Sequence, residues 1–536
     1  MDVSMPKLRI VSVNDVYSLE HLPRLKSLVD RYKQETDADE LIVVLAGDFL
    51  APSLLSSIDA GRGMVDCLNR IGATHVVLGN HEDDLPPEEL RHRLTELTAK
   101  CLGTNVRSTT TRSLELLRHD VIDVGGLKIG LVGVVMADPS VYRGKPFGGI
   151  ELLPANDAAL AETAALLAAG CNAVVPITHQ SIADDRALAA MQEQPRYPVI
   201  VGGHEHTPML VDFGGTWIVK AGSEAVRAVV SDIVWLDGAA PNVTVRFEEV
   251  AEYPEDAGLR ATVDKHMSAV RELAGATLYY VQPGELLSSK GTRSMQTTVG
   301  TLICSRLRDC LGAQACLFNG GGIRASRDYA ERFTYGDIEA EVPFDNEVVV
   351  VSLPGKVIRD AVAASRSKAP LESGAFLQVD DRLIVDGPGN TVVAIDGAPL
   401  DPERSYQVAT VRELLLGLDQ VEPLVRWATE NPSLIAPSDS GREPKMVLVQ
   451  SFALAIWREL GGFDVLDADG DDRVTSSEIA ARITLRHPSQ APSTILADLV
   501  VRAVDVDADR VISRADAMAL ARLEAEMRGR RTQTQD

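Results

Sequence analysis

Residues 41–48 read LIVVLAGD, an unbroken aliphatic run that ends on the carboxylate of Asp48. A strand buried on both faces of a parallel sheet is written in this continuous way, without alternation. Four more runs share the design. LRIVSVND (8–15) ends at Asp15, HVVLGNH (75–81) at Asn80 and His81, AVVPITH (173–179) at His179, and VIVGGHEH (199–206) at His204 and His206. Ligands of open α/β sheets gather at the carboxyl ends of the strands. A lone Asp after a strand is ordinarily a turn or a helix N-cap, and a lone His a satisfied core or surface residue. Recurrence in one order outweighs those readings. In GNHE and GGHEH a glycine stands directly before the polar group, where the backbone must turn tightly.

Outward from these runs, helical patterns such as HLPRLKSLVDRYKQ and NDAALAETAALLAAG alternate with the strands. That alternation predicts an α/β layered domain over 1–255. Residues 256–285 open with an amphipathic pattern and are expected to form a connecting helix. A second α/β unit is expected over 286–435, followed by a Pro/Ser/Gly-rich linker, NPSLIAPSDSGREP. From 446 to 530 the pattern is helical and carries two acidic loops. A chain of 536 residues exceeds what one core supports.

The net charge of −24 excludes nucleic acid and anionic membrane surfaces as natural partners. It also requires local attraction for any anionic substrate. Six cysteines without a CxxC pair are expected to be reduced thiols. The opening MDVSMPKLRIV has no charged leader with an apolar core, and no apolar stretch is long enough to span a bilayer. A cytoplasmic location is therefore the default, with a periplasmic or secreted one the alternative if a leader is removed. No motif sets an oligomeric state.

Mixed Asp, Asn and His donors suit divalent first-row ions such as Mn, Zn, Co or Fe better than a calcium cage. Two such ions about 3.5–4 Å apart can bridge a phosphoryl group, and a carboxylate is the natural bridging ligand. NDVY, AGDFLAPSLLSS, LGNHEDD, THQ and GGHEH, in this order, resemble the calcineurin-type metallophosphoesterases. NGGGIR and FTYGDIEAEVPFDN downstream resemble the C-terminal domain of the 5′-nucleotidases.

The resemblance implies a β-sandwich with flanking helices, two divalent ions, and Asp48 as their bridge. It assigns Asp15 and His206 to the first ion and Asn80, His179 and His204 to the second. His81 and Asp84 match the catalytic His–Asp dyad. The implied reaction is hydrolysis of phosphate monoesters, most naturally nucleoside 5′-monophosphates, by metal-hydroxide attack. One departure stands at the first motif, where Asp-x-His is replaced by Asp15-Val16-Tyr17. Tyr17 is either a weak ligand or an ordinary strand-end aromatic.

In the second unit the resemblance makes Arg293 and Arg324 grips for the substrate's anionic group, and Asn319 a contact to the base. Phe344 would stack on the base, and Gly321 would let the backbone approach closely. The family's second stacking aromatic is missing, because Gly417-Leu418-Asp419-Gln420-Val421 stands where an aromatic is usual. With metals and reader in different domains, closure about the connecting helix is expected. A cyclic-nucleotide or nucleotide-sugar hydrolase, and a catalytically decayed calcium-responsive binding protein, remain the alternatives.

The first acidic loop, 467–478, has Asp467, Asp469 and Asp471 at positions 1, 3 and 5, Arg473 at 7 and Glu478 at 12. The second, 505–516, has Asp505, Asp507, Asp509, Val511 and Asp516 at the same places. This is EF-hand spacing and predicts Ca²⁺ at one or both loops. Position 6 is Asp472 and Arg510 rather than the glycine that a left-handed turn prefers.

Overall fold

The computed structural model describes residues 5–533 except 108–113, 143–144, 193–195, 237–239, 345, 388, 438–439, 489–492 and 508, with side chains up to 523 and at 525. The chain divides into two compact units, Met1–Ser268 and Ala269–Asp536.

The first unit is a sandwich of two six-stranded sheets. One sheet runs in the order Asn242–Glu249, Arg227–Val234, Lys7–Val13, Glu40–Ala46, His75–Val77, Lys100–Leu102. From Lys7–Val13 outward to Lys100–Leu102 its strands are parallel, and the other two are antiparallel. The other sheet runs Met209–Phe213, Thr216–Lys220, Val199–Gly203, Ala173–His179, Leu127–Val135, His119–Val124, with its four central strands parallel.

The two sheets share one core. Leu8, Ile10, Ile42 and Val44 of the first pack with Ile129, Leu131, Val175, Ile177 and Val201 of the second. Helices Ala155–Ala168 and Ile182–Met191 cover the outer face of the second sheet through Ala159, Leu166 and Leu188. Helix Leu22–Gln34 buries Leu22, Leu25, Leu28, Val29 and Tyr32, the three-to-four spacing of one helical face. Since both faces of the central strands are covered, their continuous apolar runs are what burial demands. The expected sandwich with flanking helices is the fold observed.

The helix expected over 256–285 spans Ala257–Ala274 and stops at Gly275, before strand Thr277–Tyr280. In the second unit a four-stranded sheet runs in the order Val348–Pro354, Ser405–Val411, Ala315–Asn319, Leu377–Val379. Helices Thr298–Cys310 and Gly355–Arg366 flank it. The segment read as a linker is partly ordered, because Arg442 and Val348 exchange both backbone hydrogen bonds.

Helix Pro444–Leu460 follows and is not detached from this unit. Its Phe452 lies against Phe333 and Tyr279, with the Arg306 guanidinium 4.8 Å from the ring centre. Beyond it come Ser476–Arg486, Thr494–Val504 and Arg514–Gln533, and each acidic loop contributes a two-residue strand. The two strands pair antiparallel, Val474 opposite Ile512. Among the described residues no helix is long and apolar enough to cross a membrane.

Candidate metal centre

The carboxyl ends of the parallel strands bring the expected donors to one rim. Asp15, Asp48 and His179 are buried, and one donor atom from each lies within 4.8 Å of the others. Three rim residues leave their strands in the left-handed region: Asp15 at φ 54°, Asp48 at φ 53° and His204 at φ 81°. This conformation costs an L-residue roughly 1–2 kcal/mol, and such strain is held where surrounding structure over-determines it.

Asp48 sits at the middle. Its Oδ1 accepts from the backbone N–H of His81 at 2.8 Å, and its Oδ2 lies 3.0 Å from His179 Nε2. His179 Nδ1 donates to the Ala46 carbonyl at 2.8 Å, which fixes the ring and directs Nε2 toward Asp48 and Asn80 Oδ1 (3.2 Å). A backbone partner on one ring nitrogen is what orients a metal-binding histidine. Asp15 Oδ2 accepts from Asn14 Nδ2 at 2.6 Å and from the His204 backbone N–H at 3.0 Å. The His204 and His179 rings meet edge to face at 5.5 Å.

On the outer side, His206 is 47 % exposed, with Nε2 3.6 Å from Asp15 Oδ1. The Tyr17 hydroxyl lies 3.1 Å from that same Nε2 and 3.4 Å from Asp15 Oδ1. Tyr17 is therefore not packed away in the core. Its oxygen stands among the donors assigned to the first ion. His81 and Asp84 occupy one 3-10 turn, His81–Asp84, with Nδ1 and Oδ2 3.0 Å apart.

The donor set fits divalent ions. Burial disfavours a charged His179, yet Asp48, and then Asp15, outweigh it and push its pKa up to about 10. A site that holds a proton this firmly is a site short of positive charge. Glycines make the close packing possible. A Cβ at Gly79 would fall 2.1 Å from Asp48 Oδ1, and one at Gly47 would fall 2.2 Å from His179 Nδ1.

In the second unit Asn319, Gly321, Arg324 and Phe344 converge. Asn319 Nδ2 donates to Asp419 Oδ2 at 2.7 Å, and the Gly321 N–H donates to the Gly374 carbonyl at 2.9 Å. Arg324 donates to the Gly321 carbonyl and lies 5.6 Å from the ring centre of Phe344, which is 44 % exposed. The Arg293 carbonyl accepts from Ser373, next to Gly374.

Residues 8–208 match the calcineurin-like phosphoesterase family, and residues 278–426 match the 5′-nucleotidase C-terminal domain. The chain is a metal-dependent phosphoesterase. It is 24 % identical to protein UshA of Yersinia enterocolitica over 451 residues, covering 74 % of this chain and 81 % of that one. It is also 24 % identical to the human 5′-nucleotidase over 423 residues, 69 % and 71 % of the two chains. Its fold is shared with the NAD nucleotidase of Haemophilus influenzae (TM-score 0.66, 15 % identity, covering 84 % and 96 %). The 5′-nucleotidase precursor of Thermus thermophilus is similar as well (TM-score 0.52, 23 % identity, covering 83 % and 96 %).

Within this phosphoesterase, three residues carry more than their sequence context suggested. Glu82, fully buried, accepts from the backbone N–H groups of Asp48, Phe49, Leu50 and Gly79, and so ties the Asp48 loop to the Asn80 loop. Burial, and then the Asp48 charge, push its pKa up to about 7. Asp419 lies beside Gly374 and Gly321 and orients Asn319. Val421, at the place of the missing aromatic, is 2 % exposed and belongs to the core rather than to the reader. The glycine run also proves to serve internal packing. A Cβ at Gly320 would fall 2.1 Å from the Thr292 carbonyl, whereas Gly321 lies at the Asn319–Asp419 cluster.

Proposed function

We propose that the protein is a dinuclear-metal phosphomonoesterase whose preferred substrate is a nucleoside 5′-monophosphate. The single observation that carries the reading is the buried Asp15–Asp48–His179 cluster, flanked by Asn80, His204 and His206 at the strand ends. Asp48 would be shared by two ions, Asp15, His206 and Tyr17 would hold the first, and Asn80, His179 and His204 the second. When bound, the ions supply Lewis-acid polarisation of the phosphoryl group and a nucleophile ionised near neutral pH.

His81 would donate from Nε2 to the phosphoryl or leaving oxygen, its Nδ1 being turned to Asp84. Asp84, 3.0 Å from Nδ1, accepts from that nitrogen and orients the ring. Arg324 and Arg293 attract the substrate's anionic group in a chain that is otherwise acidic. Phe344 offers an exposed face to a base, and Asn319, held by Asp419, offers polar contacts.

The test is phosphate release by protein stripped of metal and reloaded with Mn²⁺, Zn²⁺ or Co²⁺. Nucleoside monophosphates, cyclic nucleotides, nucleotide sugars and simple phosphomonoesters form the panel. Metal-dependent turnover favouring the monophosphates is expected. Cyclic and sugar esters are included because Phe344 is one stacking face and Val421 is none. Absence of turnover in folded, metal-loaded protein would refute the reading.

We also read the acidic C-terminal loops as a paired EF-hand that binds Ca²⁺. Asp467, Asp469 and Asp471 cluster, as do Asp505, Asp507 and Asp509. Asp472 (φ 60°) and Arg510 (φ 68°) adopt the left-handed turn that position 6 needs, and Val474 pairs with Ile512 between the loops. Glu478 and Asp516 would close the coordination, with the carbonyls of Arg473 and Val511 between. Calorimetric titration with Ca²⁺ checks it, and no heat at millimolar Ca²⁺ would refute it. An exported location is our reading over the cytoplasmic one, supported by the similar solved protein that is a precursor.

A further inference from the structure

Strand Thr216–Lys220 ends on a lysine that is fully buried. Its ammonium donates to the carbonyls of Gln180 and Gly203, each at 2.7 Å, and pairs with Asp185 Oδ2 at 2.9 Å and with Glu205. Gln180 directly follows His179, and Gly203 directly precedes His204. The two strands that carry these histidines are hydrogen-bonded neighbours only as far as the pair Gly203–His179. Lys220 thus ties the two strand ends together where the ladder stops.

The acids around the ammonium are themselves anchored. Asp185 Oδ1 accepts from Thr178 Oγ1 at 2.7 Å and from Gln180 Nε2 at 3.1 Å. Glu205 Oε1 accepts from the backbone N–H of Ile182 at 2.6 Å, the first residue of helix Ile182–Met191. Packing is close enough that a Cβ at Gly202 would fall 2.9 Å from Lys220 Cε and 3.0 Å from Asp185 Oδ2. Burying an ion pair is rarely the cheapest way to stabilise a fold, since well-packed apolar residues do as well or better. A cation here gains something an aliphatic side chain cannot supply, namely donors to two carbonyls on two different loops.

We propose that Lys220 is a positioning residue that sets the spacing and orientation of His179 and His204, with Asp185 and Glu205 holding its ammonium in place. The inference rests on the assignment of those histidines to one ion. Side chains that orient a metal ligand change affinity by about 10–100-fold when removed.

The test uses full-length, metal-free protein titrated with Mn²⁺ by calorimetry, with electron paramagnetic resonance of the Mn²⁺-loaded form as a second readout. Lys220→Met removes the donors but leaves Asp185 buried without its cation. Lys220→Met/Asp185→Leu removes both buried charges and so retains a folded protein by circular dichroism. In folded variant, one of two ions should bind about 10–100-fold more weakly, the other should be unchanged, and the spin-coupled signal of the ion pair should be lost. Glu205→Gln, which leaves Lys220 paired with Asp185, should give a smaller loss at the same ion. Wild-type affinity for both ions in a folded variant would overturn the proposal, as would unfolding of both Lys220 variants. Fewer than two ions in the wild type would instead overturn the dinuclear assignment on which it rests.

Discussion

Replacing Asp48 by Asn removes one negative charge from the centre of the rim while keeping its shape. In the folded protein the His179 pKa rises from 6.5 to about 10, against burial and chiefly because of Asp48. At 1.36 kcal/mol per pH unit this is worth about 5 kcal/mol of preference for positive charge. The sign follows from linkage. A raised folded-state pKa adds stability that is fully present below about pH 6.5 and is lost as the pH climbs through 10. Metal-free wild-type protein should therefore melt on the order of 10 °C lower at pH 10 than at pH 6.5 from this group, and Mn²⁺ should restore the loss by taking the proton's place.

Asp48→Asn should flatten that slope, weaken Mn²⁺ binding by about a thousandfold or more, and abolish phosphate release. A thousandfold is about 4 kcal/mol, the scale for breaking a buried charge pair. The Ca²⁺ uptake proposed for 467–478 and 505–516 should be the same in both proteins, since neither loop includes Asp48. Scanning calorimetry across pH and calorimetric Mn²⁺ titration read both effects. An Asn variant that keeps the slope and the affinity would refute the reasoning.

Three further outcomes are expected. His75 is buried, which lowers its pKa despite Asp120 at 3.0 Å, so the unfolded chain takes up a proton first as pH falls below about 6.5. Stability should decline there, and His75→Gln should remove that share of the decline in urea melts at pH 7.5 and 5.5; identical slopes would count against it. Arg510→Gly relieves a left-handed arginine (φ 68°) and should raise the melting temperature slightly and tighten Tb³⁺ binding at the second acidic loop. Val421→Phe should cost about 1–3 kcal/mol by overpacking without lowering KM for a nucleoside monophosphate, because the site is core rather than stacking platform. A lowered KM in that variant would contradict the burial argument.

The strand ends were legible because burial on both faces forces an unbroken aliphatic run, and the donor that follows each run lies at its tip. Asp15, Asp48, Asn80 and His179 needed no more than that. Glu82 did not stand out, since an acid after GNH reads as solvated until three backbone N–H groups from the distant Asp48 loop, and a fourth from Gly79 in its own turn, are seen to close on it. Lys220 ends the pattern TWIVK like any strand terminus, and only the neighbouring strands reveal that its ammonium is indoors. Val421 stands where the motif has an aromatic, yet it is buried at the N-cap of helix Glu422–Glu430. Gly320 needs its missing side chain because of Thr292, a partner far away in the chain. Local pattern reports what a residue's own segment requires, and these residues answer to other segments.

Helix Pro444–Leu460 leads into the first acidic loop, yet its Phe452 fills space against Phe333 and Tyr279 in the body of the second unit. A cut placed before this helix would strip aromatic cover from that body and leave a sticky scar. The acidic loops are thus stitched to the second unit by a shared seam, and any shortened version of the protein has to keep that seam if Phe333 and Tyr279 are to stay covered.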